Sequence, residues 1–418
     1  MLGNNKNILY QLLYFACIGV TYLNNYELTF LIWFLTLLLT VKKAYSVTIV
    51  KYIFCFGLIL LIALLGSLFK EHHVYDIVRD ITYLLKPIVG LLAGYQLCKY
   101  NKETTLKVFV YTGFIIAVIH LAIILIASVQ YQTLNVNLIR EKAGYFSDYE
   151  IFALAILMFH TNFRLGISKI NIWICLLVIG ISSFLYLSRT NLIQIIVLYV
   201  ALKGYFTVTK KSLSVLFGVV LAVLIGYSAI LYINPKRNGK GIEAFLYKVK
   251  IAPIEPFKTK IDKGDWKDFN DNYRSYENII TVKQVSNGGA SSVFFGEGLG
   301  SKLNLGRKVL SNDGEYVQYI PYVHNGFMTV FLKSGLLGVC FSILFIVLLF
   351  RQPKSDIEYV KHISYLLIGT SVFLVVSNWV FLGLYLKLDN KSIIIGFLIA
   401  LRETVIREHR VQNKIGNE

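Results

Sequence analysis

The chain is short of charge. Only 16% of its 418 residues are Asp, Glu, Lys or Arg, where an ordinary soluble domain carries about 25%. A soluble enzyme of ordinary type is therefore excluded. Proline is scarce at six residues, and no collagen-like or disordered composition fits. The five cysteines, Cys17, Cys55, Cys98, Cys175 and Cys340, all fall in or beside apolar stretches. They form neither a disulfide framework nor a zinc pattern, and read as buried apolar residues. No D-x-D pair is present for a metal-bound nucleotide sugar, and no G-x-S-x-G or H-E-x-x-H motif appears. The glycine-rich FFGEGLGS (294–301) lacks the lysine of a phosphate loop.

What the chain has is apolar length. Hydrophobic residues make up 56%, and mean hydropathy is +0.60. A membrane helix needs roughly 17–25 apolar residues to cross ~30 Å of hydrocarbon. Such runs lie near 8–23, 28–41, 48–69, 77–98, 106–129, 148–163, 170–187, 190–208, 213–233, 326–350, 361–383 and 391–406. The runs are continuous and do not alternate, so helices fit and a β-barrel does not. The expectation is an all-α integral membrane protein with about twelve spans. Residues 1–233 would hold nine spans and 324–408 the last three, with 409–418 a tail.

Lys and Arg of the short loops concentrate on one side, which puts both termini in the cytoplasm. The segment 234–323 then lies outside the cytoplasm. The first apolar stretch has no small-x-small cleavage site and reads as a span. The net charge of +18 is mostly this loop asymmetry plus attraction to anionic membrane lipids. No basic stripe with interleaved aromatics points to nucleic acid.

Segment 234–323 is the candidate extracytoplasmic domain. GIEAFLYKV (241–249) and DWKDFNDNYRSYENIITVKQV (265–285) carry apolar residues at three- and four-residue spacing. Both predict amphipathic helices, within an ordered cap. The acids Asp262, Asp265, Asp268 and Asp271 recur every third position, but fit no calcium loop and read as a solvated face.

Five places hold residues suited to chemistry. In YIPYVHNGFMTVFLKSGLLGV (319–339), His324 and Asn325 stand at the start of a span. A helix start favours an anion, a histidine there suits a general base, and Asn is a good cap. A solvated histidine beside a cap is the plainer account. Arg189, in FLYLSRTNLIQ, is an arginine at membrane edge with no acid nearby in sequence. Guanidinium matches phosphate bidentately, and such arginines are functional candidates; snorkelling to headgroups is the alternative. Arg274 lies on the loop helix near Asp271 and Glu277. Arg140 precedes EKAGYFSDYEIF (141–152) at the sixth span. Arg79 and Lys86 flank an apolar run in VRDITYLLKPIVG, either as a basic rim for lipid phosphate or through local pairing of Arg79 with Asp76 or Asp80.

Taken in order, these pieces resemble the O-antigen polymerase and O-antigen ligase superfamily. GYFSDYEIFA enters a mid-chain span, and SRT (188–190) opens a later one. The long loop follows with Arg274 and GEGLG, and HNGFMTVFLKSGLLG closes the series. Asn278 stands where the family often has tryptophan. The resemblance implies a C-type polytopic glycosyltransferase acting without metal or other cofactor. Its donor would be an oligosaccharide on undecaprenyl diphosphate, at the outer face of a bacterial cytoplasmic (inner) membrane. The implied partners are that lipid-linked glycan, membrane lipids and a chain-length regulator. Arg189 and Arg274, with Arg79, Lys86 and Arg140 as further basic candidates, would hold the diphosphate. His324 would orient or deprotonate the acceptor hydroxyl, and Asn325 would fix the turn. The polymerase branch is favoured, with the ligase that moves polymer to a lipid A core as alternative. A flippase is a weaker fit, because no internal repeat is visible.

Overall fold

Apolar runs this long satisfy their backbone hydrogen bonds internally, so they form helices. The computed structural model describes residues 2–68, 70–98, 105–132, 148–186, 188–207, 209–237, 242–253, 255, 258–262, 264–310 and 314–415. The helices in order are α1 (Leu2–Gly19, continued by a 3-10 turn), α2 (Tyr26–Leu39), α3 (Val47–Ser67), α4 (Val74–Leu97) and α5 (Thr105–Gln130). Then come α6 (Asp148–Met158), α7 (Lys169–Leu185), α8 (Arg189–Leu202) and α9 (Lys210–Ile233). The segment after α9 holds α10 (Ile242–Ile251), α11 (Trp266–Asp271), α12 (Tyr273–Asn287) and α13 (Gly289–Phe295). A two-stranded antiparallel ribbon follows, β1 (Leu303–Leu310) with β2 (Tyr316–Ile320). The chain ends with α14 (Gly326–Phe350), α15 (Glu358–Val380) and α16 (Lys391–Ile415).

The fold is all-α, and each apolar run read from the sequence contains one helix. Five of them, α3, α5, α9, α14 and α15, are long and apolar enough to cross a membrane. Side-chain caps begin several helices: Asn25, Ser46, Ser168, Thr209 and Asn325 each accept a backbone N–H of the first turn. The sixth run is helical only to Met158; it then turns, with Arg164 at φ 46°. The last helix runs past the apolar stretch through the basic turn around Arg407 and Arg410.

Small residues set the closest packing. A Cβ on Gly94 would run into the Ile393 backbone, and one on Gly396 into the Leu91 carbonyl. Helices α4 and α16 therefore touch backbone to backbone, as small-residue interfaces permit. Helix α3 packs on α14, α14 on α15, and α15 on α8. Helix α9 differs: among its residues only Ser212 is buried, and its main neighbour is α10. Four of the cysteines are buried, but Cys340 is exposed on α14 and departs from the expected burial.

The loop segment has its own small core. Phe269, Tyr276, Val285, Leu303 and Leu305 pack with Val323, Phe331 and Leu332 of the α14 region. The core thus straddles the junction and fixes α12 against the start of α14. The amphipathic stretch 265–285 is two helices, because Asn272 leaves helical geometry between α11 and α12.

Candidate functional site

The glycine-rich run forms a strap between the loop segment and the helical bundle. Leu299 N–H donates to the Ala63 carbonyl at 3.1 Å, and Glu297 N–H to Leu332 at 2.7 Å. Gly298 N–H reaches Lys333 at 3.1 Å. Gly298 has φ 84°, and a Cβ there would sit 2.5 Å from Ser67 N. Gly335, at φ 63°, breaks the helical geometry of α14 where the strap passes. The strap lies where the backbone is left-handed and no side chain fits. Lys70 pairs with Glu297 beside it.

One carboxylate gathers this corner. Asp80 is fully buried on α4. It accepts from Gly300 N–H at 2.7 Å, from the Tyr322 hydroxyl at 2.9 Å and from Lys333 Nζ at 2.6 Å. Arg79 reaches it at 3.3 Å and reaches Asp76 at 2.7 Å. Burial first, and then the Asp80 charge, push the Tyr322 phenol well above its ordinary value. It therefore stays a neutral donor, stacked on Tyr83 with centroids 3.6 Å apart.

Next to this corner lies His324, the candidate base. His324 donates its backbone N–H to Glu277 Oε2 at 2.9 Å. Its ring Nδ1 lies 3.0 Å from the same oxygen and 3.1 Å from Oε1. The Glu277 side chain is 1% exposed, the His324 side chain 51%. The ring packs edge-on against Tyr273, with centroids 5.8 Å apart. Burial, and after it the Glu277 charge, raise the Tyr273 phenol above its ordinary value. A neutral imidazole whose Nδ1 meets a carboxylate carries its proton there and keeps Nε2 as an acceptor. That is the arrangement a general base requires.

Asn325 accepts the Met328 N–H at 3.1 Å and starts α14, as a cap should. Gly326 N–H bonds the Phe381 carbonyl at 2.8 Å. The Arg274 guanidinium lies 5.2 Å from the centre of the Phe381 ring and 3.6 Å from Glu255. Phe381 thus touches both Arg274 and Gly326, the first residue of α14, two positions after His324. Asp271, expected near Arg274, pairs instead with Arg237 at 2.9 Å.

The other basic candidates sit elsewhere. Arg189 opens α8, half-buried, and donates to the Lys248 carbonyl of α10. Arg79 is engaged locally with Asp76 and Asp80, the local pairing expected as one of its two accounts. Lys86 is fully buried and donates to the carbonyls of Leu386 and Lys387, the latter at 2.9 Å. Arg140 lies outside the described residues.

Sequence reasoning missed the partners. Glu277 was noted only as a neighbour of Arg274. Lys333 and the buried group Asp148–Lys391–Asp389, joined by ion pairs, were not singled out. The available signal was the rarity of ionisable residues in apolar helices. Among the described residues no cluster of three or more His, Cys, Asp or Glu suits a metal. No protein-family model matches the chain, and no curated protein matches it either.

Proposed function

We propose that the chain is a polytopic membrane glycosyltransferase that polymerises lipid-linked repeat units of O antigen or a related surface polysaccharide. In this reading about twelve helices span the bilayer, both termini face the cytoplasm, and the loop segment caps the outer face of the inner membrane. The observation that carries it is the half-exposed His324 ring, held by Glu277 at the junction of the loop segment and α14.

The chemistry follows from that placement. Nε2 takes the proton of an acceptor sugar hydroxyl. The hydroxyl oxygen attacks the anomeric carbon of the donor glycan as the bond to the lipid diphosphate breaks. The electron pair leaves with the diphosphate, and direct displacement inverts the carbon. Arg274 is loosely paired at 3.6 Å, so its guanidinium is available to the departing charge. No metal is required, because arginines neutralise a lipid diphosphate.

The test is a lipopolysaccharide gel on cells lacking the gene, complemented with wild type or His324→Ala. Core capped by a single repeat, in place of a ladder, is the expected phenotype of the deletion and of the variant. Naked core with polymer left on the carrier would assign the ligase reaction instead. An unchanged ladder would sink the O-antigen reading in that host.

A further inference from the structure

The same corner holds a buried acid that the proposed reaction does not itself use. We infer that Glu277 is the positioning residue of His324: it sets which ring nitrogen is presented to the acceptor and where that nitrogen points. This inference rests on the glycosyltransferase reading.

The argument begins with burial. A carboxylate at 1% exposure is costly unless its oxygens are satisfied. Glu277 meets that need chiefly through one residue, accepting both the backbone N–H and the ring Nδ1–H of His324, with the Tyr273 phenol as a further donor. Two ties to one residue fix the ring more tightly than one, because the backbone bond removes the freedom to slide past the carboxylate. Helix α12 is itself immobilised. Tyr276, beside Glu277, is buried in the small core and donates to the Leu305 carbonyl at 2.6 Å. Thr281 donates to the Glu277 carbonyl at 2.8 Å one turn on. The carboxylate is therefore a fixed point, and the half-exposed ring is the part it steers.

Arg274 lies three positions before Glu277 on the same helix. Residues three apart share a helix face. One rigid element thus supplies the group that aims the base and the group that meets the leaving anion.

A plain structural latch between α12 and α14 would also use these hydrogen bonds, so the test must separate the two roles. Full-length protein in lipid nanodiscs would be assayed with lipid-linked repeat units extracted from the producing strain. Glu277→Gln should lower kcat about 100-fold with KM nearly unchanged, the scale expected when a reacting group is misplaced by about 1 Å. Glu277→Asp should restore part of the loss. The double variant Glu277→Gln/His324→Ala should be no slower than His324→Ala alone, since the acid acts only through the ring. Wild-type kcat in Glu277→Gln, or a further loss in the double variant, would overturn the inference. If His324→Ala itself kept full activity, the glycosyltransferase reading would fall first, and the inference with it. A second measurement needs no variant: histidine 15N shifts of the wild-type protein should show His324 with its proton on Nδ1. A proton on Nε2 would overturn the inference even in an active enzyme.

Discussion

Lys333 Nζ donates a 2.6 Å hydrogen bond to Asp80, and neither side chain meets solvent. The two belong to helices α14 and α4, and the bond ties the start of one to the start of the other. Lys333 also donates to the Ser301 carbonyl, so the pair holds the strap as well.

Removing one member of a buried pair leaves an uncompensated charge, which costs about 3–5 kcal/mol. Arg79 stays 3.3 Å from Asp80 in Lys333→Met, so the variant should destabilise the protein by up to that amount, measured as denaturant-induced unfolding in lipid micelles. A loss no larger than about 1 kcal/mol, the scale of an exposed pair, would show that the pair does not hold the corner.

The strap makes a steric prediction. Gly298→Ala places a methyl 2.5 Å from a backbone nitrogen that cannot move aside. Gly289 has nearly the same φ, 83°, but nothing within 4 Å of its added Cβ. Gly289→Ala should pay only the left-handed strain of about 1–2 kcal/mol. Gly298→Ala should cost clearly more and should speed hydrogen exchange at the amides of Gly298, Leu299 and Gly300. Equal effects of the two substitutions would show that the strap is not docked as described.

Lys86 offers a separation of roles. Its ammonium is spent on two carbonyls and lies 5.3 Å from the Trp33 ring centre. Lys86→Met should lower the amount of folded protein while leaving glycan made per molecule unchanged. Quantitative immunoblotting beside the polysaccharide gel decides it. Normal abundance with lost activity would return Lys86 to the substrate site.

Acid should loosen the cap. The hydrogen bond from Lys258 and the Asp262 N–H hold the Asp268 carboxyl below its ordinary value of 3.8. A depressed carboxyl adds stability that is present above its unfolded value and is lost as pH falls through the folded value. Protease resistance of the cap should thus fall at pH below about 4. Asp268→Asn should be less resistant at neutral pH and should flatten that dependence. An unchanged acid profile in the variant would assign the sensitivity to other groups.

The apolar helices were legible because apolar run length is a local property. The run 326–350 coincides with α14 at both ends, where Asn325 caps its start. Run 391–406 fell short of α16 because its basic final turns do not look apolar. The ribbon of β1 and β2 went unread, since LNLGRKVL pairs with a strand whose register shifts at a bulge. The site was half legible. His324 and Asn325 announce themselves by their position before an apolar run. Glu277 could not, because it looks like a neighbour of Arg274 until the fold brings it to a ring 47 positions away. GEGLG looked like a weak nucleotide motif, and its actual contacts lie on Ala63, Asp80 and Lys333.

The buried pairs also say something about synthesis. Asp80 and Lys333 are 253 positions apart, and Asp148 and Lys391 are 243. At about 5–20 residues per second, each acid precedes its lysine by on the order of tens of seconds. In the membrane reading, the first nine helices must be inserted while both distant partners are still unmade. Among the described residues, a chain stopped before α14 would hold both acids without their lysines, Asp148 with no cation and Asp80 with only Arg79, Gly300 and Tyr322 to meet it. The final quarter of the protein, roughly, is thus what closes the rest, and a nascent chain lacking it would present quality-control proteases with an unfinished bundle.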